Sequence, residues 1–222
     1  SSPTIIQKSI PKEALEIILQ RAESHNSEVI LSQNPPLHWV DNFELKGNYQ
    51  MLNISSIYSA VQCLQKLGTT LIEKNTLFGL ANIKKLTGLR GRWENLQVNP
   101  TIICDTGHNE DGVKFIVDQL KSIYHPKEII FIWGMVKDKD RKKIISLLPK
   151  ESTYFLIKPS VQRGLEAEIL LAEFNELELN ALPFNNVVEA IEKANKTVDQ
   201  SKGMIFIGGS TFTVADALKS FK

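Results

Sequence analysis

Two patterns of apolar spacing divide the chain. Beyond residue 92, four short runs are almost continuously apolar: TIIC (101–104), EIIFIW (128–133), TYFLI (153–157) and MIFI (204–207). After each, apolar residues recur at three- and four-residue spacing, over 110–123, 140–148, 165–174 and 211–221. A further helical stretch over 187–198 precedes the last strand. Strands without polar alternation are covered on both faces, and strands alternating with helices lie side by side in a mainly parallel sheet. The pattern predicts a Rossmann-like, doubly wound α/β domain.

The first ninety residues read differently. A short strand at 4–6, a helix over 12–25 and a strand over 28–31 come first. The Pro35-Pro36 pair then predicts an extended segment over 37–45. Leu52, Ile57, Val61, Leu64 and Leu67 form a stripe that predicts a helix over 50–67, with a shorter one over 72–85. Gly88 and Gly91 punctuate the change of pattern, so two domains are expected, 1–87 and 88–222.

Composition narrows the partners. Apolar residues make up 42% and charged residues 23%, with a formal net charge of +1, so no global field favours nucleic acid or a membrane surface. The apolar run around 129–136 is too short to span a bilayer. Cys63 and Cys104 sit in apolar surroundings without CxxC spacing, as buried free thiols of a reducing compartment do. The cytoplasm is the expected location. The chain opens SSPT without a methionine, as a processed or truncated chain does.

In an open α/β sheet, ligands bind beyond the carboxyl ends of the strands. Four strand ends here carry unusual polar groups: 105–109 (DTGHN), 134–140 (GMVKDKD), 158–163 (KPSVQR) and 208–211 (GGST). Parallel strands put all four on one rim. Each also has a plainer reading. Asn109 before Glu110 and Asp111 makes a helix N-cap with acids in the first turn. The KDKDRKK run suits a solvated helix start. Gly208-Gly209-Ser210 suits a strand-to-helix turn, although the N–H groups there also suit an anion. His108, close behind Asp105, is balanced between structural and ligand-contact roles. His25, His38 and His125 have no ligand spacing, so no zinc site is expected. No GxxxxGK[ST] phosphate loop occurs.

In order and spacing, Gly91-Arg92-Trp93-Glu94, Asp105-Thr106-Gly107-His108-Asn109, GMVKDKD, QRG and GGS resemble the carboxy-terminal domain of folylpolyglutamate synthase/dihydrofolate synthase, a family of the Mur ligase superfamily. Upstream, the stretch from Leu45 to Asn53 (LKGNYQMLN) resembles the Leu-x-Gly-x-His-Gln-x-x-Asn of that family's central ATPase domain. Tyr49 stands where the family has histidine, Gly107 and Gly164 where alanine is common, and Glu110 where it has proline.

The resemblance implies that 1–87 is the C-terminal portion of an ATPase domain and 88–222 a Mur ligase C-terminal domain. The family's phosphate loop, magnesium ligands and modified lysine lie upstream of the matching segment. The expected partners are therefore the remainder of the ATPase domain, ATP, Mg2+ held by upstream residues, L-glutamate and a pteroate or folate. The chain alone would be inactive. The implied reaction activates a carboxylate with ATP as an acyl phosphate, which the amine of glutamate then attacks. By the same resemblance Asn53, Arg92 and Asp105 bind ATP, and His108 supports catalysis near ATP or glutamate. Ser210 would hold a glutamate carboxylate, and no residue of this chain is a metal ligand. With Asn53 on one domain and the others on the next, ATP would be sandwiched between them. Two alternatives stand beside this one: another Mur-type ligase acting on a cell-wall peptide precursor, and a stand-alone nucleotide- or anion-binding module.

Overall fold

The computed structural model describes residues 2–137 and 140–221; Asp138 and Lys139 of the KDKD run lie outside the described residues. The chain forms two compact units, Ser1–Leu89 and Arg90–Lys222.

In the first unit, β1 (Thr4–Ile6) and β2 (Val29–Leu31) pair in parallel across α1 (Lys12–Ser24). Four helices follow: α2 (Leu37–Asp41), α3 (Gln50–Lys66), α4 (Glu73–Ala81) and α5 (Ile83–Thr87). Trp39, Phe43, Leu45, Ile54 and Leu80 form the core of this unit. Two expectations are corrected here. The segment after Pro35-Pro36 begins with a helix rather than extending, because proline fits just outside a first turn, where no N–H partner is needed. That turn lets Trp39, 1% exposed, pack edge-on against Tyr58. The single helix expected over 72–85 is two, broken at Asn82, whose side chain donates to the Phe78 carbonyl at 2.8 Å.

The second unit is a six-stranded sheet in the order β3-β4-β8-β5-β6-β7. Its strands are β3 (Glu94–Gln97), β4 (Thr101–Cys104), β5 (Ile129–Trp133), β6 (Thr153–Ile157), β7 (Asn180–Phe184) and β8 (Met204–Gly208). All neighbours are parallel except the β3–β4 pair. Successive side chains of a strand face opposite ways, so each central strand feeds two cores. Ile103, Phe131, Leu156 and Phe206 pack in one cluster with α6 (Glu110–Ile123), α7 (Arg141–Ser146) and α8 (Ala167–Glu176). Ile102, Ile132, Phe155 and Ile207 pack in the other with α9 (Val187–Thr197) and α10 (Thr211–Leu218). Fully burying each such side chain contributes about 1.5–3 kcal/mol. Cys63 and Cys104 are both buried.

The two edge strands carry little apolar signal. β3 reads ENLQ, and β7 reads NALPF with Pro183 inside it, which an edge strand tolerates. β8 comes last in sequence yet lies between β4 and β5, so the strand order reverses beside β4. Among the described residues, no helix is long and apolar enough to cross a membrane.

Candidate active site

Loops separate most where the strand order reverses, and the polar residues singled out in the sequence gather there. The first element is the turn that enters β3. Gly91 has φ +71° and Trp93 φ +46°, both in the left-handed region that side chains disfavour. Two buried carboxylates and one amide hold this backbone. Glu94 accepts from the Gly91 N–H at 2.7 Å through one oxygen and from Arg90 Nε at 2.6 Å through the other. Asp105 accepts from the Trp93 N–H at 2.7 Å. The Thr106 N–H donates to the Gly91 carbonyl at 2.9 Å. Only glycine fits at 91, because a Cβ would come within 2.8 Å of Val214 and 2.9 Å of Thr106. Arg92 stands exposed at the tip of this braced turn.

The second element is the end of β4. Asp105 is 1% exposed. Its other oxygen accepts from the Gly107 N–H at 2.8 Å, so both carboxylate oxygens brace backbone. His108 Nδ1 lies 3.0 Å from the Thr106 carbonyl. A carbonyl only accepts, so Nδ1 is the donor of this hydrogen bond. Asn109 caps α6, accepting from the Gly112 N–H at 3.0 Å.

The third element joins β8 to α10. Ser210, 3% exposed, caps α10 by accepting from the Thr213 N–H at 3.1 Å. Its hydroxyl also lies 2.9 Å from that of Thr213, which donates to the Gly134 carbonyl at 3.0 Å. The Ser210 hydroxyl is thus turned into the helix start. Gly209 has φ +88°, and a Cβ there would meet Trp133.

The loops after β5 and β6 are fastened to each other and to α10. Lys137 N–H donates to the Arg163 carbonyl and Leu165 N–H to that of Met135, both at 3.0 Å. The Arg163 guanidinium lies 5.0 Å from the centre of the Phe212 ring, a cation–π contact. Asp216 accepts from the Ser160 N–H and from Lys219 Nζ, each at 2.7 Å. Burial pushes the Asp216 carboxyl up, but the hydrogen bonds from Lys219 and Ser160 outweigh it and hold it below its ordinary value.

Arg92, Asp105, His108 and Ser210 therefore all belong to the second unit, at the carboxyl ends of β4 and β8 and the turn beside them. Asn53 belongs to the first. It lies one turn into α3, exposed, with Nδ2 donating to the buried Gln50 side chain at 2.7 Å. Two contributors were not singled out from sequence, Glu94 and Thr213. Their signals were the fourth place of Gly-Arg-Trp-Glu and the Ser-x-x-Thr spacing. Among the described residues, no three His, Cys, Asp or Glu side chains are grouped to hold a metal ion.

Comparison with known proteins gives the site its context. The family described as Mur ligase, glutamate ligase domain, matches residues 91–211. The dihydrofolate synthase/folylpolyglutamate synthase of Buchnera aphidicola subsp. Schizaphis graminum is 30% identical over 161 residues, covering 68% of this chain and 38% of that protein. The UDP-N-acetylmuramoyl-L-alanyl-D-glutamate–2,6-diaminopimelate ligase of Buchnera aphidicola subsp. Baizongia pistaciae is 29% identical over 109 residues, 48% of this chain and 20% of that protein. The Mycobacterium tuberculosis folylpolyglutamate synthase, solved with ADP and AMPPCP, has the same fold, with a TM-score of 0.80 at 19% identity. That match covers 98% of this chain and 54% of the solved one, so the chain spans well under two thirds of these proteins.

Proposed function

We propose, since this chain belongs to the Mur ligase family through its glutamate ligase domain, that it serves an ATP-dependent ligase that joins L-glutamate to the carboxylate of dihydropteroate or of a folate. In this reading residues 90–222 are the glutamate ligase domain, and the first unit is the C-terminal portion of an ATPase domain completed by further chain. The observation that carries it is the braced turn that presents Arg92 beside the carboxyl end of β4, where the strand order reverses.

The chemistry sets what the site must do. A carboxylate resists an amine because its oxygen is a poor leaving group. Its attack on the γ-phosphorus of ATP releases ADP and forms an acyl phosphate. The glutamate amine then attacks the carbonyl carbon, and phosphate leaves. Arg92 supplies a planar fork of donors to the phosphate oxygens, which gather charge as the phosphoryl group transfers. Asp105 anchors that turn, and we assign its part in ATP binding to the brace behind Arg92. Asn53 is assigned to the adenine, its amide held by Gln50. His108 is assigned a supporting role near ATP or the incoming glutamate. The rim around Ser210 is assigned to a glutamate carboxylate, received by N–H groups of the α10 start rather than by the hydroxyl, which caps the helix. Mg2+, when bound, neutralises phosphate charge, and we assign its ligands to chain outside these residues.

The 29% identical ligase of muramyl peptides keeps a second substrate class in view. The Leu45–Asn53 stretch favours the folate class. Release of phosphate by the intact enzyme, given ATP, magnesium and glutamate, separates them. Dihydropteroate or tetrahydrofolate is expected to support turnover. Turnover only with a UDP-linked muramyl peptide would overturn the folate assignment.

A further inference from the structure

We infer that Glu94 is a positioning residue for Arg92, acting through the backbone of the turn and not by touching the nucleotide. The inference rests on the reading that Arg92 meets ATP. Glu94 opens β3 directly opposite Cys104 in the antiparallel pair, and Asp105 follows Cys104, so the two carboxylates reach the turn from adjoining strands. Glu94 is 5% exposed and Asp105 1%. Together they take the N–H groups on either side of Arg92, Glu94 from Gly91 and Asp105 from Trp93, each at 2.7 Å.

Each carboxylate is fastened at both oxygens, Glu94 also by Arg90 Nε at 2.6 Å and Asp105 also by the Gly107 N–H at 2.8 Å. What the pair does is hold a glycine and a tryptophan at positive φ, with a single exposed residue between them. The direction in which Arg92 leaves the backbone is thereby fixed from both sides. A fork preset in this way loses less freedom when it meets a phosphate, so its contribution is made through orientation.

The test is a double-mutant cycle in the intact enzyme, with ATP kinetics read beside the melting temperature and amide exchange at Gly91 and Trp93. Glu94→Ala is expected to lower kcat/KM for ATP by roughly tenfold or more, as a displaced donor fork does, and to speed Gly91 amide exchange. Glu94→Gln keeps one carbonyl acceptor, and is expected to recover part of the loss and to keep the fold should the alanine variant not. Arg92→Ala is expected to lower kcat/KM as far while leaving Gly91 exchange slow. Combining Glu94→Ala, or Glu94→Gln, with Arg92→Ala should cost no more than Arg92→Ala alone, because a residue that acts through Arg92 has nothing left to act on. Losses that multiply, or a Glu94 variant with normal ATP kinetics beside an impaired Arg92→Ala, would overturn the positioning role while leaving the nucleotide reading intact. Unchanged ATP kinetics in Arg92→Ala would overturn the nucleotide reading itself.

Discussion

Asp105 illustrates how one residue type can carry two meanings in a sequence. An aspartate closing a buried strand can be a ligand contact or a brace, and the family resemblance points to the ligand contact. The structure shows the brace: each of its oxygens accepts a backbone N–H, from Trp93 and from Gly107. Asparagine has only one acceptor oxygen, so Asp105→Asn would point an NH2 group at one of those two donors. Leaving a buried N–H unpaired costs about 1–3 kcal/mol. The melting temperature of the variant is therefore expected to fall by several degrees, and unchanged unfolding would refute the bracing role. Arg92 should behave in the opposite way. It is exposed, so Arg92→Lys is expected to leave the melting temperature in place. The loss of a two-pronged, charged hydrogen-bonding fork costs about 1.5–3 kcal/mol, so kcat/KM for ATP should drop roughly tenfold to a hundredfold. Equal kinetics for the two side chains would remove Arg92 from the nucleotide site.

Among elements, legibility followed burial. β4, β5, β6 and β8 were visible as apolar runs because helices cover both their faces. β3 and β7 were not, because an edge strand can be polar and can even hold a proline. Helix α2 was misread because a Pro-Pro pair both ends extended chain and precedes a first turn. Of the rim, the motif residues were legible, but the bonds tying one loop to the next were not, since no local pattern announces a partner fifty residues away. Asp216 is such a case, linking α10 to the loop after β6 through Ser160. Its carboxyl is held below the ordinary value of 3.8. The stability it contributes is thus complete above the unfolded value and is lost as pH falls through the lower folded one. Wild type is expected to melt above Asp216→Asn at neutral pH, with the gap closing below about pH 3.8. A gap independent of pH would show that the charge of Asp216 is not what holds the loop.

At the scale of the molecule, the second unit carries two apolar clusters, one on each face of its sheet. A unit with its own core folds alone. Residues 90–222, expressed separately, are expected to melt in one cooperative transition; a broad, non-cooperative melt would mean that the first unit is required. In the proposed reading, catalysis needs the remainder of the ATPase domain. With no phosphate loop in its sequence, the isolated chain is expected to release no phosphate above background from ATP, glutamate, magnesium and a pteroate or folate. The central proposal, an amide ligase working through an acyl phosphate, makes a demand on a single oxygen atom. The carboxylate oxygen that attacks ATP must leave with the phosphate when the glutamate amine displaces it. The direct measurement supplies the intact enzyme with dihydropteroate or folate labelled with oxygen-18 in the carboxylate that is extended, then analyses the released phosphate by mass spectrometry. One labelled oxygen in each phosphate, formed together with the glutamylated product, is the expected result; phosphate without label would contradict it.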